Sequence, residues 1–370
     1  MGRRKVYSIA LELTAYCNQK CAYCYNEWRD DGGQSIGHTE GQKLFGRVDR
    51  LLEAFEIDHV TLTGGEPFAH KDIFRLLDKL SAAKVPVQII SNGGLIDDAL
   101  ATRLKAYAVH YVQCTLNAPT PELHAEHVGG DGHFEATLEG VRALKRAGVN
   151  VVGCVVVTRK NAHLVGEILE LWRSLGVRQI AMSRFSPAGY AARAAAELLP
   201  SRDEIVVAFE QALPFARDHH MSISCTMPIP PCAVETERYA PIKFGSCAVG
   251  TKFQELALGP DGKLKNCTLH RAAIGGVPDI LDPSVDVAAL LDAPEVAEYK
   301  RQLPAFCEGC LHASTCGGGC GAAAEWVLGD RNVPDPFLWQ HVDDEFAARL
   351  ERERTPSSES KTRRHLDVVA

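Results

Sequence analysis

The sequence predicts an α/β protein, an open partial (β/α)6 barrel followed by a smaller cysteine-rich domain. Three observations carry this expectation. Short β-branched runs alternate with amphipathic stretches between residues 7 and 183. After Pro200 the alternation gives way to proline and clustered cysteine. The chain has 370 residues, more than one ordinary core accommodates. Strands are expected over 7–14, 59–63, 85–91, 111–116, 151–158 and 179–183. Helices are expected over 41–55, 72–83, 134–147 and 164–175, each carrying apolar residues at helical spacing and ending near Gly or Pro. Repeated strand-helix order gives a parallel sheet with right-handed crossovers, and a ligand site at the C-terminal strand ends. The expected division is a barrel over 1–200, a linking helix within 201–224, a metal-dependent domain over 225–345 and a polar tail over 346–370.

Composition narrows the function. Net charge is -7 and no basic run exceeds a few residues, which argues against nucleic acid as a partner. The first apolar run is cut by Glu12 and Asn18, short of a signal-peptide core or a membrane span, so a cytoplasmic protein without a membrane partner is expected. In that reducing compartment the 13 clustered cysteines suit metal ligation better than disulfides.

Cys17, Cys21 and Cys24 lie in AYCNQKCAYCYN, directly after the first expected strand. A closed structural zinc site takes four ligands, whereas a 4Fe-4S cube held by three cysteines leaves one iron open. The alternatives are a zinc loop completed by a remote histidine and three buried thiols. This spacing, with Tyr23 before the last cysteine, resembles the radical S-adenosylmethionine (SAM) superfamily. The resemblance implies that the open iron binds the amino and carboxylate groups of SAM, and that one electron from the cluster cleaves SAM to a 5′-deoxyadenosyl radical. It also implies SAM contacts: Gly64, Gly65 and Glu66 of the TGGEP turn at the amino group, Ser91 and Asn92 at the ribose, and Asn117 as a polar contact. Thr158 would lie beside adenine, and Arg184 would meet the SAM carboxylate or the substrate. No catalytic acid or base is singled out.

Cys307, Cys310, Cys316 and Cys320 are separated by two, five and three residues, with Cys247, Gly262 and Cys267 upstream. A zinc ribbon is the alternative, but the layout resembles the SPASM extension of radical SAM enzymes, which implies one or two auxiliary iron-sulfur clusters. By that resemblance Cys247, Cys267 and Cys320 hold the first, with Cys232 as the added ligand and Cys225 in reserve. Cys307, Cys310 and Cys316 hold the second. Leu338 stands where the family's last cysteine falls, so the expectation is that another group such as His341 or Asp335 completes that set, that one iron is open, or that the second cluster is degenerate. Cys114 and Cys154 are expected to be buried hydrophobes within strands.

The implied function is oxidation, by cross-linking or dehydrogenation, of a ribosomally made precursor peptide, as in the pyrroloquinoline quinone and mycofactocin type of maturase. Cys17 leaves no room for a preceding leader-binding domain, so a separate leader-binding protein is expected, with a flavodoxin- or ferredoxin-type electron donor. The rival substrates are an aminocyclitol or a sugar alcohol. A rival of another class is a non-catalytic iron-sulfur or zinc protein.

Overall fold

The computed structural model describes residues 3–29, 37–299 and 303–339. His341 and the expected polar tail lie outside them. Six parallel strands run in sequence order, β1 (Arg4–Glu12), β2 (Phe55–Thr63), β3 (Val87–Ser91), β4 (Val109–Thr115), β5 (Val151–Val157) and β6 (Gln179–Arg184). Helices α1 (Gly41–Ala54), α2 (Ile73–Ala82), α3 (Asp98–Leu104), α4 (Pro121–Val128), α5 (His133–Arg146) and α6 (Val165–Ser174) connect them. The fold is the expected α/β partial barrel.

Side chains alternate across each strand. On β1, Ile9 and Leu11 join Leu44, Val48 and Leu51 of α1 in the outer core, and Leu13 continues that face. The intervening positions turn inward, where Ala10, Thr61, Gln113 and Thr115 line a central cavity. Gly153 on β5 is needed for the outer layer, because a Cβ there would lie 2.7 Å from the Trp172 indole on α6.

Strand β2 begins four residues before the expected 59, since Phe55 and Ile57 continue the buried alternation between the polar Glu56 and Asp58. Helices α3 and α4 were not expected. Both are short and begin on side-chain caps: Asp97 accepts from the Leu100 N–H, and Thr120 accepts from the Leu123 N–H ahead of Pro121. The expected helix after Pro200 is α8 (Arg202–Arg217), following the single turn α7 (Ala195–Leu198). Ser201 and Glu204 form a reciprocal capping box at its start.

Four further strands lengthen the sheet at both edges. They are β7 (Ser222–Cys225), β8 (Lys243–Phe244), β9 (Glu255–Leu258) and β10 (Leu264–Lys265). The full order is β10-β9-β1-β2-β3-β4-β5-β6-β7-β8. Strands β7 and β8 add parallel beside β6, β9 adds parallel beside β1, and β10 is antiparallel to β9. At two to four residues these strands are too short to show a period in sequence. Residues 222–265 therefore share the barrel's sheet.

Candidate active site and cysteine groups

The loop after β1 carries the first three cysteines, and its backbone is tied to three neighbours. Lys20 and Ala22 donate to the carbonyls of Val128 and His127 at the end of α4, at 2.7 and 3.0 Å. The Glu66 N–H donates to the Tyr16 carbonyl at 2.8 Å, and the Asn26 side chain donates to the Gly64 carbonyl at 2.7 Å. Ala191 donates to the Cys24 carbonyl at 3.0 Å.

All three thiols line a cavity of about 330 Å³ at the C-terminal strand ends. Burial pushes the Cys17 thiol up to about 12 and raises Cys21 and Cys24 as well. Thiolates held here need a nearby positive charge, as iron supplies. The Gln19 N–H donates to Cys17 Sγ at 3.4 Å and the Asn92 amide to the same sulfur at 3.7 Å, the type of contact that tunes a thiolate-bound cluster. Three cysteines on one fixed loop, open to a cavity, fit a 4Fe-4S cluster with one iron free for SAM.

The other expected SAM contacts divide into two layers. Gly64, Gly65, Ser91, Asn92 and Arg184 reach the cavity wall, whereas Glu66, Asn117 and Thr158 lie behind it. The Glu66 carboxylate accepts from Ser91 Oγ at 2.8 Å, the Asn92 N–H at 2.9 Å and the Phe68 N–H at 3.1 Å, so it joins the TGGEP turn to the turn after β3. Its pKa is raised to about 7 by burial, against which these donors act. Asn117 Oδ1 accepts from the Val156 N–H at 2.8 Å, and Thr158 is held by the Asn161 carboxamide oxygen at 2.7 Å from its N–H. Glu66 and Asn117 thus brace strand ends with their side chains and Thr158 is itself held by Asn161, so that none of the three lines the cavity, unlike the expectation that they face the cofactor.

The glycines of TGGEP line the cavity and also pack against the cysteine loop. Their close approach is to the cysteine loop itself, since a Cβ on Gly65 would lie 1.9 Å from the Tyr16 carbonyl oxygen. Gly65→Ala is therefore expected to displace the segment bearing Cys17 and to destabilise the protein by roughly 1–3 kcal/mol, measured by denaturant unfolding. An unchanged midpoint would show that the loop yields freely.

Arg184 is likewise corrected. At the end of β6, its guanidinium is fully buried and paired with Asp335 at 2.6 Å. It also donates to the carbonyls of Phe185 and Pro228 at 3.1 and 3.3 Å and lies over the Phe337 ring. Asp335 in turn accepts from the Cys320 N–H and the Phe337 N–H, each at 2.8 Å. With its carboxylate so engaged, Asp335 is not placed as a cluster ligand.

The remaining cysteines fall into two groups that differ from the expected allocation. Cys232 lines one small pocket with Cys307, Cys310, Cys316 and Leu338. It is not grouped with Cys247, Cys267 and Cys320. The Cys267 thiol is raised to about 12 by burial, then by the charges of Cys320 and Cys247. Cys320 caps the helix Gly321–Leu328, its sulfur accepting from the Ala323 N–H at 3.5 Å. Cys225 belongs to neither group, as its thiol is directed to the Met227 carbonyl at 3.4 Å. Among the described residues, no three or more Cys, His, Asp or Glu side chains form a site for a single metal ion. Cys114 is wholly buried as expected, and Cys154, 5% exposed, contributes to the cavity wall.

Several cavity residues had no motif to announce them. Glu255 arrives on β9, and its carboxylate accepts from Ser8 Oγ at 2.9 Å and Thr61 Oγ1 at 2.8 Å. Met227, Thr268 and Leu269 close the far side. They come from 226–269, whose path could not be traced from periodicity.

A parallel β/α barrel with a three-cysteine loop at the C-terminal end of its first strand defines a radical SAM domain. Residues 11–172 match the Radical SAM superfamily, so this part of the chain is a radical SAM domain. It is 26% identical to mycofactocin maturase MftC of Mycobacterium tuberculosis, covering 95% of this chain and 88% of that protein. It is 25% identical to the PqqA peptide cyclase of Granulibacter bethesdensis, covering 88% and 85% respectively. Among solved structures, Streptococcus suis SuiB bound to precursor peptide SuiA superposes with a TM-score of 0.69 at 14% identity, over 90% of this chain and 76% of that one. No helix among the described residues is long and apolar enough to cross a membrane.

Proposed function

We propose that the chain is a radical SAM/SPASM oxidoreductase that cross-links or dehydrogenates a ribosomally synthesised precursor peptide. The observation that carries this reading is the three-thiol loop opening on a cavity whose far wall comes from the cysteine-rich half of the chain. When bound, the 4Fe-4S cluster and SAM supply reductive SAM cleavage and hydrogen abstraction, and auxiliary clusters supply an acceptor for the second electron. The chain's own residues hold and shield. Cys17, Cys21 and Cys24 anchor the first cluster, while Gly64, Gly65, Ser91 and Asn92 shape the adjoining wall for SAM. Ile90, Val156, Phe185, Met227 and Leu269 give the cavity apolar faces that exclude water from a reactive carbon centre. Glu255 offers a carboxylate to a proton released from the substrate.

The relatives support a peptide substrate, since one is named a peptide cyclase and a structural neighbour was solved with its precursor peptide. A separate leader-binding protein and a flavodoxin- or ferredoxin-type donor complete the proposal. The test is anaerobic incubation of reconstituted, reduced protein with SAM and deuterated candidate substrates. The expected result is 5′-deoxyadenosine carrying deuterium from a precursor peptide, and a product lighter by two hydrogens. Deuterium taken only from an aminocyclitol or sugar alcohol would transfer the proposal to small-molecule dehydrogenation, and no SAM cleavage at all would end it.

A further inference from the structure

We propose that Cys232 is the fourth cysteine of the Cys307, Cys310 and Cys316 group, leaving Cys247, Cys267 and Cys320 to hold their cluster with three cysteines and one non-cysteine position. This inference rests on the preceding functional reading and deepens it. Its basis is placement: Cys232 comes from the loop after β7, 75 residues before Cys307. Even so, it lines the same pocket as Cys307, Cys310 and Cys316. Leu338 forms another part of that pocket wall, so the position lacking a thiol is beside a thiol supplied from elsewhere.

The loop is held there from both sides. Pro230 and Pro231 limit the backbone before Cys232, and the Pro230 carbonyl accepts from the N–H groups of Ala233 and Val234 at 2.9 and 3.2 Å. Upstream, Arg184 donates to the Pro228 carbonyl at 3.3 Å while pairing with Asp335. Asp335 also holds the Cys320 N–H, so one buried ion pair positions the Cys232 loop against the segment following Cys316.

Cysteine arithmetic gives the second half. All 13 cysteines lie among the described residues. Cys17, Cys21 and Cys24 line the central cavity, Cys114 and Cys154 sit on barrel strands, and Cys225 faces the Met227 carbonyl. No cysteine is then left for Cys247, Cys267 and Cys320. Tyr299 lines a pocket with Cys247. An iron without a cysteine there could take an exchangeable oxygen, nitrogen or sulfur ligand.

The test uses full-length protein with Cys17, Cys21 and Cys24 replaced by alanine, reconstituted with ⁵⁷Fe, so that auxiliary iron is counted alone. Iron content and Mössbauer spectra are measured after adding Cys232→Ala, Cys310→Ala or Cys267→Ala, singly and in pairs. Cys232→Ala should lower the remaining iron by up to about half, with no further loss on adding Cys310→Ala and a further loss on adding Cys267→Ala. Cys232→Ser, which keeps an oxygen at the same position, should retain iron while shifting one site's spectrum, separating ligand loss from misfolding. The assignment is overturned if Cys232→Ala leaves iron and spectrum unchanged, or if its loss merges with that of Cys267→Ala. A parent that binds zinc or no metal would overturn the auxiliary-cluster reading and this assignment with it, and is recognised before any Cys232 variant is made.

Discussion

Asp335→Ala is expected to lower stability by about 3–5 kcal/mol, because it strands the Arg184 guanidinium in a site from which water is excluded. Both side chains are 0% exposed and their charged atoms are 2.6 Å apart. The substitution also removes the acceptor for the Cys320 and Phe337 N–H groups. Denaturant unfolding of the reconstituted protein would measure the loss, and iron content should fall with it because Cys320 is no longer held. An Arg184→Met, Asp335→Leu double variant should recover much of the stability, since it removes the stranded charge, but not the hydrogen bonds to Cys320 and Phe337. A change under about 1 kcal/mol for Asp335→Ala would mean that water reaches the pair.

Cys24→Ala is expected to reduce SAM cleavage to the enzyme-free background. The three thiols converge from a single loop, so removing one leaves two ligands for the first cluster, and about 4 irons per chain should be lost. Auxiliary iron should remain, which separates loss of the site from loss of the fold. Quantifying 5′-deoxyadenosine and iron on the same preparation checks both. Wild-type cleavage by Cys24→Ala would remove this loop from the chemistry.

Local signals and long-range ones were unequally legible. The six barrel strands could be read because each is five or more residues long and is followed or preceded by a helix with an apolar face. The Cys17, Cys21 and Cys24 loop could be read because its ligands lie within eight residues. Motif position alone did not distinguish a side chain that lines the cavity from one that braces it. Glu66 and Asn92 illustrate this: both lie in turns at strand ends, but Glu66 points behind the wall and supports the turn that presents Asn92. Arg184 misled for a related reason, since its partner is 151 residues away. Cys232 did so too, because nothing in IPIPPCAVE indicates which cysteine group the loop folds toward.

The pairing of β9 with β1 has a consequence for synthesis. Ser8 and Glu255 are partners in the sheet although 247 residues separate them. At ordinary translation rates Glu255 is made about 12–50 s after Ser8. Throughout that interval the outer backbone edge of β1 lacks its native neighbour and can pair with a strand of another chain. A nascent or truncated chain ending before Glu255 thus exposes an adhesive edge, so the barrel is completed, and protected from aggregation, only by its last-made third.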